Sequence, residues 1–274
     1  MTRRPVRGSA TEAVDRAPGA TTMPDRRATA GRRAADPARY YAAYPLTHHA
    51  YAVARIAGTA IRNRALRYFS GRMLDIGCGS KAKTWLVGDC VDHHIGLDHA
   101  DSPHGTHAID ICGTAYAIPL ADRAVDCVLS TAVLEHLEDP AAALCETRRV
   151  LRPGGVAMFT APLFWPVHEA PRDFFRFTGF GLHELFRGAG LEPLEVTALS
   201  GFWTMAGAQL GAYLRPYRRG ALRFPIAALV AAFNLILPKL DCGRLRDERF
   251  AWMHIVVARR PTGKAGRRPE EPNA

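Results

Sequence analysis

Short apolar runs that end in glycine or aspartate alternate with longer stretches of helical periodicity, and this alternation constrains the fold more than any other feature. The runs cover residues 73–76, 95–97, 107–109, 125–130 and 156–160. A helix is expected between the last two, started by Asp139-Pro140 and stopped at Pro153-Gly154-Gly155. A further helix is expected over 48–68, and later strands over 191–199 and 249–258. Repeated strand and helix units predict an α/β fold with a mostly parallel sheet that is covered on both faces.

The two ends of the chain differ in composition from the middle. Residues 1–38 carry eight arginines against four acidic residues, and residues 259–274 carry five basic against two acidic residues. The ends therefore hold seven of the ten net positive charges of the 274-residue chain. We expect a disordered basic leader over 1–37, one folded domain over 38–258 and a disordered basic tail over 259–274. Because the folded part is nearly neutral, no nucleic-acid partner is expected.

The six cysteines form no CxxC pair and no Cys/His run with zinc spacing. They are interpreted as separate reduced thiols, as in a cytoplasmic protein. No metal site is expected from the sequence.

The segment MLDIGCGS (73–80) carries an apolar strand into a glycine turn, where missing side chains let a ligand approach the backbone. Asp98 ends the next strand, and a carboxylate there can accept hydrogen bonds from both hydroxyls of a ribose. Taken alone, the turn fits two kinds of cofactor that contain a ribose. A dinucleotide is one of them, because Gly77-x-Gly79-x-x-Ala82 satisfies the dinucleotide fingerprint. The turn also has a purely structural interpretation.

Further segments separate these interpretations. In order they are MLDIGCGS, GLD, AYAIPLADRAVDCVLSTAVLEHLEDP and ETRRVLRPGG. Together they resemble the class I S-adenosylmethionine-dependent methyltransferases of the methyltransferase-11 type, over residues 72 to about 190. The following PLFWPVHEAPRDFFRFTGFGLHELFRGAGLE resembles a subgroup linked to cell-surface polysaccharide or glycolipid assembly. The resemblance implies a Rossmann-like, seven-stranded, mostly parallel sheet with a helical insertion, at about 200–248, before the last strand.

The resemblance also implies a role for individual residues. The amino-acid end of S-adenosylmethionine would lie against Asp75 and the backbone of Gly77 to Gly79, and Asp98 would take the ribose hydroxyls. Thr114 and Ala115 stand where the family often has an acidic and a small residue beside the adenine. The backbone of Ser130 would border the methionine part. The positions implied to bind the cofactor are Asp75, Gly77, Cys78, Gly79, Asp98, Thr114, Ala115 and Ser130.

Two histidines are candidates for acting on the acceptor. His136 follows the fourth strand in a Glu-His pair, and His168 lies in the aromatic loop after the fifth strand, where imidazole can serve as a general base near neutral pH. Some related O-methyltransferases bind a metal at this pair with a further glutamate, where this sequence has Ala132. As a structural alternative, the loop is held together by pairs such as Asp173 with Arg176 or Arg172.

The run FPIAALVAAFNLIL (224–237) is apolar almost all round but only fourteen residues long, and arginines precede it. It is expected to be too short to span a bilayer. A helix packed on the sheet or in a homodimer interface is one interpretation. Contact with a membrane surface through 215–240 is the other, which would place the protein in the cytoplasm or peripherally at the inner face of the membrane.

These observations favour a methyltransferase that uses S-adenosylmethionine on a small or lipid-linked acceptor, with a saccharide as the favoured class. The alternatives are an NAD-dependent oxidoreductase built on the same glycine turn and a non-catalytic cofactor-binding or scaffold module of the same fold.

Overall fold

The computed structural model describes residues 34–263, so most of the expected leader and tail lies outside the described residues. The helices are α1 (Pro37–Ala42), α2 (Tyr51–Tyr68), α3 (Thr84–Val87), α4 (Pro140–Val150), α5 (Gly179–Gly188), α6 (Phe202–Leu214) and α7 (Arg223–Leu240). The strands are β1 (Arg72–Ile76), β2 (His93–Asp98), β3 (Ile111–Cys112), β4 (Val125–Thr131), β5 (Leu151–Pro162), β6 (Glu192–Ala198) and β7 (Met253–Arg259).

All seven strands form one sheet in the order β3-β2-β1-β4-β5-β7-β6. The first five strands pair in parallel, and β7 is antiparallel to both β5 and β6. This confirms the expected mostly parallel, Rossmann-like sheet. In the described part of the chain, β6 and β7 take the place of the second parallel half that a dinucleotide-binding fold would use.

Alternate residues of the strands face opposite layers of helices. Leu74 on β1 packs in a core with α4 and α5, and its neighbour Met73 packs in a second core with α2 and α3. Both side chains are fully buried. This two-sided burial explains why the strands appear in the sequence as continuous apolar runs.

Helix α4 begins where the sequence predicts. The side chain of Asp139 accepts a hydrogen bond from the backbone amide of Ala142 (3.0 Å), and Pro140 occupies the first helical position. The helix ends at Val150, before the expected stop at Pro153, because buried Leu151 already pairs with Val125 in the sheet.

Two of the expected strands were placed wrongly. Residues 107–109 form a turn in which the amide of Ile109 donates to the carbonyl of Thr106, and the strand follows at Ile111–Cys112. Residues 248–250 form a 3₁₀ turn, because the Asp247 side chain accepts a hydrogen bond from the amide of Arg249. The last strand therefore starts at Met253, four residues later than expected.

The apolar run over 224–237 lies within α7, which is longer than the run itself. By length and composition, residues 220–240 form a 21-residue helical segment that could cross a membrane. The expectation that the fourteen-residue run is too short does not hold for the whole segment, which also includes the 3₁₀ turn at 220–222, Arg223 and residues 238–240.

Candidate active site

The glycine turn follows β1 directly. The amides of Gly77 and Cys78 both donate to the carbonyl of Leu97, which ties the turn to the end of β2. Gly77 has a φ of +70°, a conformation that side chains disfavour, and a Cβ there would lie 2.4 Å from Cγ2 of Val133. Glycine is therefore required at this position by both conformation and space.

Asp98 lies where the resemblance places the ribose contact, at the carboxyl end of β2. Its Oδ2 accepts a hydrogen bond from the amide of Gly79 (2.7 Å), and its Oδ1 accepts one from the amide of His99 (2.7 Å). Each carboxylate oxygen has a further lone pair, and the side chain is only half-buried. The residue can thus accept the two hydroxyls of a ribose while it stays fixed to the glycine turn.

Asp75 is buried on β1, and its carboxylate contacts a histidine. His94 Nε2 lies 3.0 Å from Asp75 Oδ2, and Nδ1 of the same ring lies 2.9 Å from the hydroxyl of Thr84. The structure therefore connects Asp75 to β2 and α3 beneath the glycine turn.

Ser130 is the last residue but one of β4 and lies in register with Ile76, the last residue before the glycine turn. Its hydroxyl is buried and has no hydrogen-bond partner among residues 34–263. A buried hydroxyl of this kind is normally satisfied, so its position at the strand end indicates a polar ligand. Together with the Asp98 carboxylate at the end of β2, it fits an adenosyl-methionine group.

Three further positions are implied to bind the cofactor: Thr114, Ala115 and Cys78. Thr114 accepts a hydrogen bond from the amide of Tyr116 (3.3 Å), and Ala115 is buried in the core beside Ile118. Burial, followed by the carboxylates of Asp75 and Asp98, raises the pKa of the Cys78 thiol to about 12. The thiol is therefore neutral at physiological pH and acts here as a small apolar side chain.

A cavity of about 320 Å³ opens next to the ends of β4 and β5. Its floor includes Thr131 and Thr160, which directly follow Ser130 and Phe159 in the two strands. Its walls come from distant parts of the chain, and their aromatic side chains are Tyr40, Tyr44, Trp165 and Trp252. Polar side chains also line it, among them His49, Lys83 and Glu135. A concave site that combines aromatic walls with several polar groups is typical of a small-molecule pocket.

Glu135 is the buried acidic group of this cavity. The side chain is fully buried, and neither carboxylate oxygen has a hydrogen-bond partner in the described residues. Burial raises the pKa of Glu135 to about 8, so the group is mainly protonated at neutral pH. Its backbone carbonyl accepts a hydrogen bond from the amide of Phe174 (2.8 Å), which holds the following loop over the site.

The two candidate histidines lie together. The rings of His136 and His168 meet edge to face, 4.7 Å apart, and His168 lines the cavity. Nδ1 of His168 lies 3.2 Å from the carbonyl of Pro166 and 3.4 Å from the carboxylate of Asp173. Nδ1 of His136 is hydrogen-bonded to the carbonyl of Arg172. When Nδ1 of His168 carries the ring proton, Nε2 is the basic nitrogen.

The loop is also held by the structural pair that the sequence suggested. Asp173 is bound by both terminal nitrogens of Arg176, at 2.6 and 2.7 Å, and accepts the amide of His168 at 2.9 Å. The Arg176 guanidinium holds the pKa of Asp173 well below its usual range. The Asp173–Arg176 interpretation is confirmed, and this ion pair also positions His168.

Glu135, His136 and His168 each bring a ligand-type atom within 4.8 Å of the others. Ala132, which stands in place of the additional glutamate, has a φ of +54° and lines the cavity. The cluster thus combines an uncharged carboxyl group with two imidazoles. It lies close in sequence to Ala132, whose backbone is strained just after the end of β4.

Two features of the cavity were not predicted from the sequence. One is the wall formed by residues that precede α2, and the other is the burial of Glu135. Tyr40 and Tyr44 come from a segment before the first long helix, and Trp252 precedes the last strand. The three tyrosines within residues 40–44 were a usable signal, because large aromatic side chains clustered next to a predicted boundary seldom all stay exposed. Nothing local indicates that Glu135 is cut off from water.

Comparison with known proteins supports the domain assignment. Residues 74–159 match the family described as "Methyltransferase domain". A probable S-adenosylmethionine-dependent methyltransferase of Mycolicibacterium smegmatis is 35% identical over 133 residues, covering 44% of this chain and 51% of the relative. A ubiquinone biosynthesis O-methyltransferase of Cereibacter sphaeroides is 30% identical over 151 residues, covering 45% of this chain and 61% of the relative. The chain thus spans about half to three-fifths of these relatives.

Among solved structures, the [4+2]-cyclase SpnF has the same fold, with a TM-score of 0.51 and 22% identity over 77% of this chain and 82% of that one. This likeness concerns the fold alone, and it joins a cyclase to the same architecture as the methyltransferases. The family match covers β1 to β5, which carry the glycine turn, Asp98, Ser130 and Glu135. Over residues 74–159 the chain is therefore similar to class I S-adenosylmethionine-dependent methyltransferases, and the residues at the glycine turn and at Asp98 fit S-adenosylmethionine as the cofactor.

Proposed function

We propose that this chain transfers a methyl group from S-adenosylmethionine to a hydroxyl of a small or lipid-linked acceptor. The observation that carries the proposal is the position of the aromatic cavity. It begins at Thr131 and Ala132, directly after the buried Ser130 hydroxyl, so an acceptor in the cavity would meet the methionine end of the cofactor site. Asp98, the Gly77 to Gly79 backbone and Ser130 would hold the cofactor.

When bound, S-adenosylmethionine supplies an electrophilic methyl group on a sulfonium. The protein's own contribution is to place the acceptor oxygen in line with that methyl and to accept its proton. His168 is suited to accept the proton, because its Nδ1 faces the Pro166 carbonyl and the Asp173 carboxylate. A positive charge formed on this ring would be stabilised by Asp173.

Glu135 has a different role in this proposal. A protonated carboxyl can donate one hydrogen bond and accept others, so it can orient a hydroxyl without competing for the proton. Its raised pKa and its position in the cavity support this role. Glu135 would then orient the acceptor hydroxyl, and His168 would accept its proton.

The acceptor class is supported by two observations. The cavity walls are aromatic, and one relative is described as a ubiquinone biosynthesis O-methyltransferase. The saccharide class expected from the sequence has no support in the descriptions of the two curated relatives named above. We therefore propose a hydroxyl acceptor with an apolar or lipid-linked body.

The proposal is tested in two steps. Isothermal titration of the full chain with S-adenosylmethionine and, in parallel, with NAD should show heat for the sulfonium compound and none for the dinucleotide. Incubation with cell-envelope lipid extracts and deuterium-labelled S-adenosylmethionine should then give a labelled lipid-soluble product by mass spectrometry. Preferential binding of NAD would support the oxidoreductase. Cofactor binding without any labelled product across hydroxyl, amine and carbon acceptors would favour a non-catalytic module.

A further inference from the structure

Helices α6 and α7 form a hairpin, residues 202–240, which is inserted between β6 and β7. One side of this hairpin packs on the domain, and the other side is exposed. Apolar side chains cover the exposed side. Because large apolar surfaces on a folded protein normally mark an interaction site, the hairpin needs an explanation beyond folding.

Helix α7 has two unlike faces. Val230 and Asn234 are buried against the domain, while Phe224 and Ile236 are 66% and 57% exposed. The outward face of α7 consists of Phe224, Pro225, Ala228, Leu229, Leu235 and Ile236. No charged residue lies between Arg223 and Lys239 along this helix. The face is therefore apolar over its whole length and ends in a cation on each side.

Helix α6 also carries exposed apolar side chains. Leu210, Tyr213 and Tyr217 are exposed on or just after α6, and the tyrosine rings lie 5.9 Å apart. Tyrosine has an apolar ring and a polar tip, and such side chains are enriched where a protein meets the boundary between lipid and water.

The charge of the hairpin has one sign. Residues 202–240 contain five basic residues and no acidic residue. Arg215, Arg219 and Arg223 are exposed near the turn between the helices, and Lys239 is exposed at the opposite end of α7. A second copy of the same hairpin would bring like charges together, whereas an anionic lipid surface would complement them.

We propose that the hairpin binds the surface of a membrane that contains anionic lipids, with α7 lying along the interface. The apolar face supplies the buried surface, and the arginines near the turn contact lipid phosphates. The proposal rests on the exposed apolar side chains and on the positive charge of the hairpin. It goes beyond the proposed function and does not depend on it.

The contacts of α7 favour lying on the membrane over crossing it. The side-chain amide of Asn234 donates to the carbonyls of Leu46 and His48, at 2.7 and 2.9 Å. At the end of α7, the carboxylate of Asp241 accepts hydrogen bonds from the amides of Gly201, Trp203 and Thr204, which begin α6. A spanning α7 would have to give up these bonds and leave Asn234 in hydrocarbon.

The hairpin also touches the walls of the acceptor cavity. The carbonyl of Phe164 accepts a hydrogen bond from Gln209 on α6 (2.9 Å), and the carbonyl of Thr47 accepts one from Arg218 (2.8 Å). These carbonyls belong to the two segments that supply Trp165 and His49 to the cavity. A lipid-linked acceptor held in the membrane would therefore reach the cavity beside the hairpin; this last step rests on the proposed function.

The test is co-sedimentation of the full chain with vesicles of phosphatidylcholine, alone or mixed with phosphatidylglycerol. The chain should sediment with the mixed vesicles at low salt, bind the neutral vesicles weakly, and be released by alkaline carbonate. Failure to bind the mixed vesicles at low salt would overturn the proposal. Resistance to carbonate would show that α7 crosses the bilayer and would also overturn it.

Matched variants locate the binding surface. The double variant L229E/I236E should abolish sedimentation, while L66E, which alters an exposed leucine on α2, should bind like the unmodified chain.

Replacing Arg219 and Arg223 by serine should weaken binding about fivefold for each arginine. The control R67S/R187S removes two exposed arginines elsewhere and should have little effect. Since the basic leader is present throughout, equal binding by all variants would assign binding to the leader and refute the hairpin.

Two further measurements distinguish lipid binding from misfolding and from self-association. Circular dichroism and titration with S-adenosylmethionine on each variant check the fold and the cofactor site independently of lipid. Sedimentation velocity without lipid reports the oligomeric state. If the unmodified chain is a dimer that L229E/I236E dissociates, and vesicles do not compete with that dimer, a second copy covers the hairpin and the proposal is wrong.

Discussion

The carboxylate of Asp98 and the backbone amide of Gly79 are hydrogen-bonded at 2.7 Å, so the expected ribose contact and the glycine turn are a single unit. A change in either one is transmitted to the other.

Asp98→Ala should therefore weaken S-adenosylmethionine binding through two effects, the lost ribose contacts and a looser turn. Loss of hydrogen bonds to a charged group costs about 1.5–3 kcal/mol, which corresponds to a tenfold to hundredfold rise in Kd by titration. Asp101→Ala, which removes an exposed carboxylate three residues further on, is the control and should leave Kd unchanged. Equal affinity for both variants would remove Asp98 from the site.

Gly77→Ala should lower the free energy of unfolding by at least about 1 kcal/mol, because the left-handed backbone conformation disfavours a side chain. The added Cβ would also clash with Val133. Gly188→Ala is the matched control, since a Cβ at this last position of α5 meets nothing within 4 Å and should leave stability unchanged or slightly raised. Urea denaturation measures both variants, and equal stability would contradict the strain argument.

Glu135→Gln should stabilise the protein increasingly as the pH rises. The pKa of Glu135 is about 8 in the folded protein, against an ordinary value of 4.5, so folding retains a proton that the unfolded chain releases between these values. Its contribution to stability is therefore fully present below about pH 4.5 and declines up to about pH 8, by roughly 1.4 kcal/mol for each pH unit crossed.

Glutamine keeps the shape of the neutral acid without titrating. The melting temperatures of Glu135→Gln and the unmodified protein should thus agree at low pH and diverge at pH 8, with the variant higher. Exposed Glu184 provides the control, and Glu184→Gln should show no such divergence. Parallel melting curves for Glu135→Gln across this range would show that the carboxyl is not isolated from water.

His168→Gln should lower kcat about 10²- to 10⁴-fold, the usual size of a general-base contribution, with Kd for S-adenosylmethionine unchanged. His183→Gln alters an exposed histidine on α5 and should keep full turnover. Full turnover by His168→Gln with the labelled acceptor would leave the loop with a purely structural role.

Excess EDTA should leave turnover unchanged, and added Mg²⁺ or Mn²⁺ should not raise it. Ala132 offers no ligand atom at the position where related metal-binding O-methyltransferases have a further glutamate. Loss of turnover in EDTA with recovery on adding one of these ions would assign the Glu135, His136 and His168 cluster to a metal.

The sequence predicted those parts of the fold and site that depend on local signals. The glycine turn, Asp98 at the end of β2 and the Asp139 cap of α4 each follow from residues within a few positions of one another. The strand at 107–109 was wrong, because Thr106 and Ile109 close a turn that is flanked by Gly105 and Asp110. The pattern of apolar residues does not show which backbone groups form such a hydrogen bond.

The cavity could not be predicted for a different reason. Tyr40 and Trp252 lie far apart in the chain and line the same cavity as Glu135 only in the folded protein. The raised pKa of Glu135 is a property of tertiary burial. The Glu-His pair in the sequence therefore does not show the protonation state of Glu135.

The hydrogen bonds from Asn234 to Leu46 and His48 join the two extremities of the folded region. A protein trimmed to residues 74–159 would keep the glycine turn and Asp98 but would lose Tyr40, Trp165 and Trp252 from the cavity. The segments outside residues 74–159 therefore supply most of the side chains that a molecule in the cavity would contact.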